Sequence, residues 1–177
     1  GVVMTHILVD TANTFFRARH VTRGDASEKV GMAIHIMFAS IKKAWGDFDG
    51  SHVVFCLEGR SFRKDLYAPY KRNRKEMAEA MTEKEKEEND VFWECYDDFV
   101  DFIKTKTNVT VLQNPRVEAD DLIARWIDKH PDQKHVIIST DKDLNQLITP
   151  RVKQYNGVNE VTMTHEGWFE RNGTPVI

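Results

Sequence analysis

Residues 6–10 read His6-Ile7-Leu8-Val9-Asp10, an apolar run of strand length that ends directly in an acid. Three similar runs follow it in the chain, namely Val53-Val54-Phe55-Cys56-Leu57, Val109-Thr110-Val111-Leu112 and Val136-Ile137-Ile138-Ser139. These runs are continuous rather than alternating in polarity, which is typical of strands that are covered on both faces. They predict a mostly parallel sheet in the interior of the protein.

Helical patterns separate these strands. Apolar residues spaced three to four apart run from Val30 to Trp45, from about Thr82 to Lys106 and from Glu118 to about Lys129. We expect the second helix to bury a stripe formed by Phe92, Cys95, Phe99 and Phe102. Strands that alternate with helices imply right-handed crossovers, and so predict a three-layer α/β/α fold.

The C-terminal part of the sequence has a different pattern. Residues 151–163 read as short strands that are interrupted at Asn156-Gly157, a common turn sequence. Thr164 could cap a helix, so we expect His165 to Arg171 to form one or two helical turns.

Length and composition predict a single domain over residues 1–177, since the chain is 41% hydrophobic and 30% charged. The sequence contains no apolar run of the roughly 18 residues that a membrane span needs, and its N-terminus lacks the pattern of a signal peptide. Two cysteines, Cys56 and Cys95, are too few for a disulfide framework or a zinc site. We therefore expect a cytoplasmic protein.

The net charge of −3 and the pI near 6.2 are unusual for a protein that binds phosphates. However, basic residues crowd one segment, whereas many acids stand singly at the ends of apolar runs. Two bound divalent cations would move the formal charge from −3 to about +1. The acidity is therefore consistent with a metal site.

Acidic residues follow three of the predicted strands and open the helix after the remaining one. They are Asp10, Glu58, Glu118, Asp120, Asp121, Asp141 and Asp143. The carboxyl ends of parallel strands share one edge of a sheet, where ligands bind. Carboxylates that converge there either raise each other's pKa or recruit cations, and an all-oxygen ligand set favours Mg²⁺ or Mn²⁺ over Zn²⁺. Two such ions are suited to phosphodiester hydrolysis.

Each of these acids also has an ordinary structural explanation. Asp10 and Asp143 could form turns or cap helices, and Glu118 could pair with a helix dipole beside a solvated Asp121. Acids at four separate strand or helix ends favour a shared site over coincidence.

Four sequence motifs, taken in order, resemble those of the 5′ nuclease family. They are Ile7-Leu8-Val9-Asp10-Thr11-Ala12-Asn13, the segment from Phe62 to Arg74, Val117-Glu118-Ala119-Asp120-Asp121 and Ile138-Ser139-Thr140-Asp141-Lys142-Asp143. This family includes bacteriophage flap endonucleases, RNase H-type exonucleases and the 5′ nuclease domain of bacterial DNA polymerase I, and the phage members look most similar. The resemblance implies a PIN-like fold with a helical arch insertion at about residues 71–95. It also implies 5′-3′ exonuclease or flap endonuclease action in phage-type DNA replication or repair.

The resemblance also implies roles for individual acids. Asp10, Glu118 and Asp120 would hold the first of two Mg²⁺ or Mn²⁺ ions, and Asp141 and Asp143 would contribute to the second, with Asp121 at the edge. The family usually has Asp after the second strand. Glu58 is our candidate for that position, and Cys56 is the alternative if the alignment has no gap. In the family a helical DNA-binding module follows this domain, and we expect residues 1–177 not to contain it.

The basic segment is expected to contact the substrate, which would be DNA with a 5′ flap or a free 5′ end, or an RNA/DNA hybrid. Its candidate residues combine phosphate-pairing cations with rings on which a base can stack, and they are Tyr67, Tyr70, Lys71, Arg72 and Arg74. By resemblance Lys71 would lie closest to the scissile phosphate and act in catalysis, and Arg17 would be a second phosphate contact. A solvated charged helix is the alternative explanation.

Two other functions remain open on the sequence. Another PIN-like ribonuclease, such as a toxin, would use a similar set of acids but has no need of the basic, tyrosine-containing insertion. A catalytically weak nucleic-acid-binding domain, or a receiver-like domain with a single Mg²⁺, would use Asp10 and Asp141 for turns.

Overall fold

The computed structural model describes residues 2–21, 24–59 and 83–176. The strands are β1 (Thr5–Asp10), β2 (His52–Cys56), β3 (Thr110–Leu112), β4 (Lys134–Ile138), β5 (Val152–Asn156), β6 (Val161–Thr164) and β7 (Gly167–Phe169). The helices are α1 (Thr11–Val21), α2 (Ala26–Asp47), α3 (Glu83–Lys106) and α4 (Ala119–Lys129), with a 3₁₀ helix at Lys142–Leu147. The four predicted strands and the helices between them are confirmed.

The strands form one sheet in the order β3-β2-β1-β4-β5-β6-β7. The first five in this order are parallel to their neighbours, and β6 and β7 are antiparallel. Asp10 pairs with Cys56, and Val9 pairs with Ile138. The carboxyl ends of β1, β2 and β4 therefore lie side by side at one edge, and the predicted mostly parallel α/β fold is confirmed.

Helices cover both faces of the sheet. On one face, Ile7 and Val9 pack with residues of α1, α2 and α3, and on the other Leu8 packs with Ile123 of α4 and Leu144 of the 3₁₀ helix. All three β1 side chains are fully buried. This is why the strand sequence is continuously apolar, since an alternating strand would bury a polar side chain in one of the two layers.

The predicted apolar stripe of α3 is partly wrong. Phe92 and Phe99 are buried as expected, but Phe102 is 52% exposed. The buried stripe continues instead through Tyr96, Val100 and Ile103. This set follows the helical period more closely, and it turns Phe102 away from the sheet.

The predicted helical turn at His165–Arg171 is also wrong, because this segment contains β7. Thr164 closes a tight turn: its Oγ1 accepts from the Glu166 amide at 3.1 Å and donates to the Gly167 carbonyl at 3.1 Å. Gly167 has a φ of 142°, which glycine adopts without strain. The chain then folds back, and Pro175 forms an isolated bridge to Phe169 of β7.

Residues 71–82, about half of the predicted arch, lie outside the described residues. The part of the 71–95 segment that is described, from Glu83 onward, is helical and belongs to α3. Among the described residues, no helix is both long enough and apolar enough to cross a membrane.

Candidate functional site

Asp10 is the most deeply buried acid at the carboxyl edge of the sheet, with 5% of its surface exposed. It ends β1, the middle one of the five parallel strands, and its Oδ2 accepts a hydrogen bond from Ser139 Oγ at 2.9 Å. Burial, together with the nearby charges of Asp141 and Asp120, raises the pKa of Asp10 to about 7, although the hydrogen bond from Ser139 opposes this rise. The carboxylate is therefore held where its charge is unfavourable unless a cation compensates it.

Glu58 lies just beyond β2 and faces the same acids. Its Oε1 accepts a hydrogen bond from the Ala119 amide at the start of α4, with an N···O distance of 3.4 Å. Burial, together with the charges of Asp10, Glu118 and Asp120, raises the pKa of Glu58 to about 8, although the hydrogen bond from Ala119 opposes this rise. The side chain is therefore close to the acids of both β1 and α4.

Cys56 has a different environment. It is fully buried and packs in the apolar layer with Ala119 and Ile123 of α4. Burial, followed by the charge of Asp10, raises the pKa of its thiol far above the usual value. Of the two candidates for the second-strand position, Glu58 is the one that presents a carboxylate beside the other acids.

The start of α4 and the loop after β4 present the remaining acids. Asp120 is half-buried, and burial is the main cause of its raised pKa, with further contributions from Asp121 and Asp141. Asp141 Oδ1 accepts a hydrogen bond from the Asp143 amide at 2.9 Å and so caps the 3₁₀ helix. Glu118, Asp121 and Asp143 are exposed around this group. The capping role considered for Asp143 thus belongs to Asp141.

These acids influence one another without forming a closed ligand cage. Within the ranges that the structure describes, no three His, Cys, Asp or Glu side chains converge closely enough to hold a metal ion. Two of the carboxylates are turned toward backbone amides: Asp120 Oδ1 accepts from the Asp121 amide at 2.9 Å, and Asp141 caps its own helix. Like charges spread apart in this way because amide dipoles stabilise them separately.

The donor set nevertheless fits a hard divalent cation. The neighbouring acids are all oxygen ligands, and Asp10 and Glu58 both have pKa values raised by burial and by other carboxylates. Binding a cation such as Mg²⁺ or Mn²⁺ would remove this repulsion.

A polar network that the sequence did not predict supports these acids. Asn13 Oδ1 accepts hydrogen bonds from the Thr140 amide and Thr140 Oγ1, at 3.1 and 3.0 Å, and lies 3.2 Å from Ser139 Oγ. Gln154 Nε2 donates to the carbonyls of Ser139 and Asp141, at 3.1 and 2.8 Å. No signal in the sequence distinguished Gln154, because it is one of several polar residues in the strand Val152–Asn156.

The predicted substrate contacts are only partly described. Arg17 is exposed on α1, seven residues after Asp10. The other candidates lie outside the described residues, and they are Tyr67, Tyr70, Lys71, Arg72 and Arg74.

Comparisons with known proteins agree with this architecture. The chain is 31% identical over 157 residues to the flap endonuclease Xni of Aeromonas hydrophila, which covers 84% of this chain and 54% of that protein. The T5 5′-exonuclease with bound zinc ions superposes with a TM-score of 0.67 and 25% identity, covering 90% of this chain and 58% of the other. A bacteriophage T5 flap endonuclease in complex with DNA and metal ions gives a TM-score of 0.59 and 26% identity, over 85% and 54% of the two chains.

A family model also matches most of the chain. The model of the 5′-3′ exonuclease N-terminal, resolvase-like domain matches residues 5–173 and so includes every acid of the site. The match covers nearly all of this chain, whereas the chain spans about half the length of the Xni relative. The chain therefore belongs to the family of 5′-3′ exonuclease N-terminal, resolvase-like domains.

Proposed function

We propose that this chain contains the cutting site of a divalent-metal-dependent 5′-3′ exonuclease or flap endonuclease that hydrolyses phosphodiester bonds in DNA. The observation that carries this proposal is the position of Asp10, a buried carboxylate at the end of β1 that is close enough to Asp120 and Asp141 to have its pKa raised by both. Membership of the exonuclease family supports the same conclusion. We place its action in phage-type DNA replication or repair, in the cytoplasm of a bacterial or phage-infected cell.

The acids would divide between two Mg²⁺ or Mn²⁺ ions. Asp10, Glu58, Glu118 and Asp120 would hold one, and Asp141 and Asp143 would contribute to the other, with Asp121 at the rim. Bound divalent cations neutralise charge on a phosphodiester and activate water for in-line attack. The protein's own residues hold the ligands in place: Ser139 fixes the orientation of Asp10, and Ala119 donates its amide to Glu58.

Contacts with DNA would come from the basic segment. Lys71, Arg72 and Arg74 would pair with phosphates, Tyr67 and Tyr70 would stack on unpaired bases, and Arg17 would add a contact from α1. A helical arch over about residues 71–95 would admit only a free 5′ end or flap. An RNA/DNA hybrid is a second possible substrate.

The test is cleavage of a 5′-labelled flap duplex in Mn²⁺ and in Mg²⁺. We expect cutting that is lost in EDTA and in Asp120→Asn. Asp128→Asn is the matched control, because Asp128 lies exposed at the other end of the same helix. It should cut like the wild-type protein.

Other outcomes would separate the alternatives. Cutting of single-stranded RNA but not of the DNA flap would favour a PIN-like ribonuclease. Flap binding without any cutting in either metal would favour a nucleic-acid-binding domain and overturn the proposed activity.

A further inference from the structure

Gln154 is a fully buried polar residue in β5. It has no exposed surface, and Val152, two residues earlier on the same face, packs in the apolar cluster with Leu144. Within the described part of the chain, Gln154 Oε1 has no hydrogen-bond partner. An apolar side chain would avoid leaving an acceptor desolvated and unpaired, so packing alone does not explain a glutamine here.

The donor end of Gln154 is fully used on one short loop. Its Nε2 donates to the carbonyls of Ser139 and Asp141, at 3.1 and 2.8 Å. On the other side of the same loop, Asn13 Oδ1 accepts from the Thr140 amide at 3.1 Å. The loop between β4 and the 3₁₀ helix is therefore held from β5 on one side and from the start of α1 on the other.

The restrained backbone of this loop determines where the Asp141 and Asp143 side chains point. The Asp141 amide donates to Ser139 Oγ at 3.0 Å, and Asp141 Oδ1 accepts from the Asp143 amide at 2.9 Å. With its carbonyl held by Gln154 and its amide by Ser139, Asp141 is fixed on both sides of its Cα atom. Its carboxylate can turn only about its own side-chain bonds.

We propose that Gln154 is a positioning residue for Asp141 and, through Asp141, for Asp143. It holds the loop so that these carboxylates are ready to bind a divalent cation, and it contacts neither the cation nor the substrate. This inference rests on the proposed function, because it concerns the acids assigned there to the second ion. Residues that orient ligands in this way typically change metal affinity by about tenfold to a hundredfold when they are replaced.

The test compares Gln154→Met, which keeps the length of the side chain but has no donor, with Val152→Ala as control. Val152 lies on the same strand and face, is buried, and packs in the apolar cluster with Leu144. Hydrogen exchange of the metal-free proteins reports on the loop directly. We expect the Asp141 and Asp143 amides to exchange at least about tenfold faster in Gln154→Met than in Val152→Ala.

Calorimetric titration with Mn²⁺ provides the second measurement. We expect Gln154→Met to weaken one of two binding steps by about tenfold or more and to leave the other unchanged. Val152→Ala should lower the thermal midpoint without changing either step. If Gln154→Met does not fold, Gln154→Glu is measured in the same way, since its protonated form keeps only one of the two donors.

Two results would overturn the inference. One is unchanged exchange at Asp141 and Asp143 in the Gln154 variant, and the other is an equal loss of Mn²⁺ affinity in Val152→Ala, which would indicate general destabilisation. Failure of the proposed function would look different, since the wild-type protein itself would neither bind Mn²⁺ nor cut. The exchange measurement would still decide the role of Gln154.

Discussion

Ser139 Oγ lies 2.9 Å from Asp10 Oδ2 and donates a hydrogen bond to it. The same hydroxyl oxygen accepts from the Asp141 amide at 3.0 Å. One buried side chain thus connects the acid at the end of β1 with the loop that carries the acids after β4. The two groups of acids are mechanically linked through Ser139.

Replacing Ser139 with alanine should therefore destabilise the fold and the site together. The change leaves Asp10 without its side-chain donor and the Asp141 amide without its acceptor, which typically costs about 1–3 kcal/mol. Urea denaturation in EDTA measures this loss. Ser40→Ala is the control, because Ser40 is equally buried but only donates within its own helix, to the Ile36 carbonyl. A Ser139 variant as stable as the Ser40 variant would contradict the prediction.

Asp10→Asn should separate stability from activity. Asparagine keeps an oxygen that can accept from Ser139 but removes a buried charge that lies near Asp120 and Asp141. At pH 8 in EDTA we expect the variant to be more stable than wild type, by on the order of 1–3 kcal/mol. Flap cleavage in Mn²⁺ should fall below detection. Thermal denaturation measures the stability and the cleavage assay measures the activity, both on the same preparation. A destabilised variant would argue against charge repulsion at this position.

Glu58 and Cys56 should respond to substitution in opposite ways. Glu58→Gln removes a charge beside Asp10 and the start of α4, so we expect weaker Mn²⁺ binding and cleavage reduced by about tenfold to a hundredfold. Cys56→Ala removes a sulfur from a closed apolar layer, which should lower stability by about 1–2 kcal/mol and leave Mn²⁺ affinity unchanged. Calorimetry and urea denaturation of the two variants distinguish these effects. Loss of Mn²⁺ binding in Cys56→Ala would show that the ligand position had been assigned to the wrong residue.

A cluster of histidines lies near the amino end of β1, opposite the acids at its carboxyl end. This cluster should make the stability of the protein depend on pH. His6 Nδ1 accepts from Trp126 Nε1 at 3.0 Å, and the rings of His130 and His135 lie 5.2 and 5.0 Å from the His6 ring. Burial, together with the charges of His135, His130 and His52, lowers the pKa of His6 to about 4. Protonation would also break the hydrogen bond from Trp126.

The direction of this pH dependence follows from proton uptake by His6. The folded state binds the His6 proton less readily than the unfolded state, whose pKa is near 6.5. The contribution of His6 to stability is therefore complete above pH 6.5 and is lost as the pH falls toward 4, by up to about 3 kcal/mol. His6→Asn keeps an acceptor for Trp126 but does not titrate, so its stability should fall less over this range. His165→Gln, at an exposed histidine, should behave like wild type.

The sequence was sufficient to predict the layers of the fold and the position of the acids. Continuous apolar runs such as Ile7-Leu8-Val9 are distinctive, since only a strand covered on both faces can bury three consecutive side chains. An acid directly after such a run, as at Asp10, must lie at the carboxyl edge of the sheet. These inferences depend only on local sequence and on the geometry of parallel strands.

Features with an ambiguous local signal, or with partners distant in sequence, were not predictable. Thr164 suits a helix cap and a tight turn equally well. Gly167, three residues later, has a positive φ, which favours the turn. The role of Gln154 depends on two carbonyls that are brought to it only by the pairing of β5 with β4. Likewise, no local pattern shows that Ser139 would reach back to Asp10 across 129 residues.

Among the residues that the structure describes, β3 and β7, each of three residues, form the two edges of the sheet, and Pro175 bridges to Phe169 of β7. Proline has no amide hydrogen to offer to another strand, and an edge of three residues presents few backbone groups for pairing. A neighbouring molecule therefore finds little template for extending the sheet, even though its central strands are strongly apolar. The short edge strands thus protect the protein, whose sequence is rich in β-forming residues, against aggregation through strand pairing.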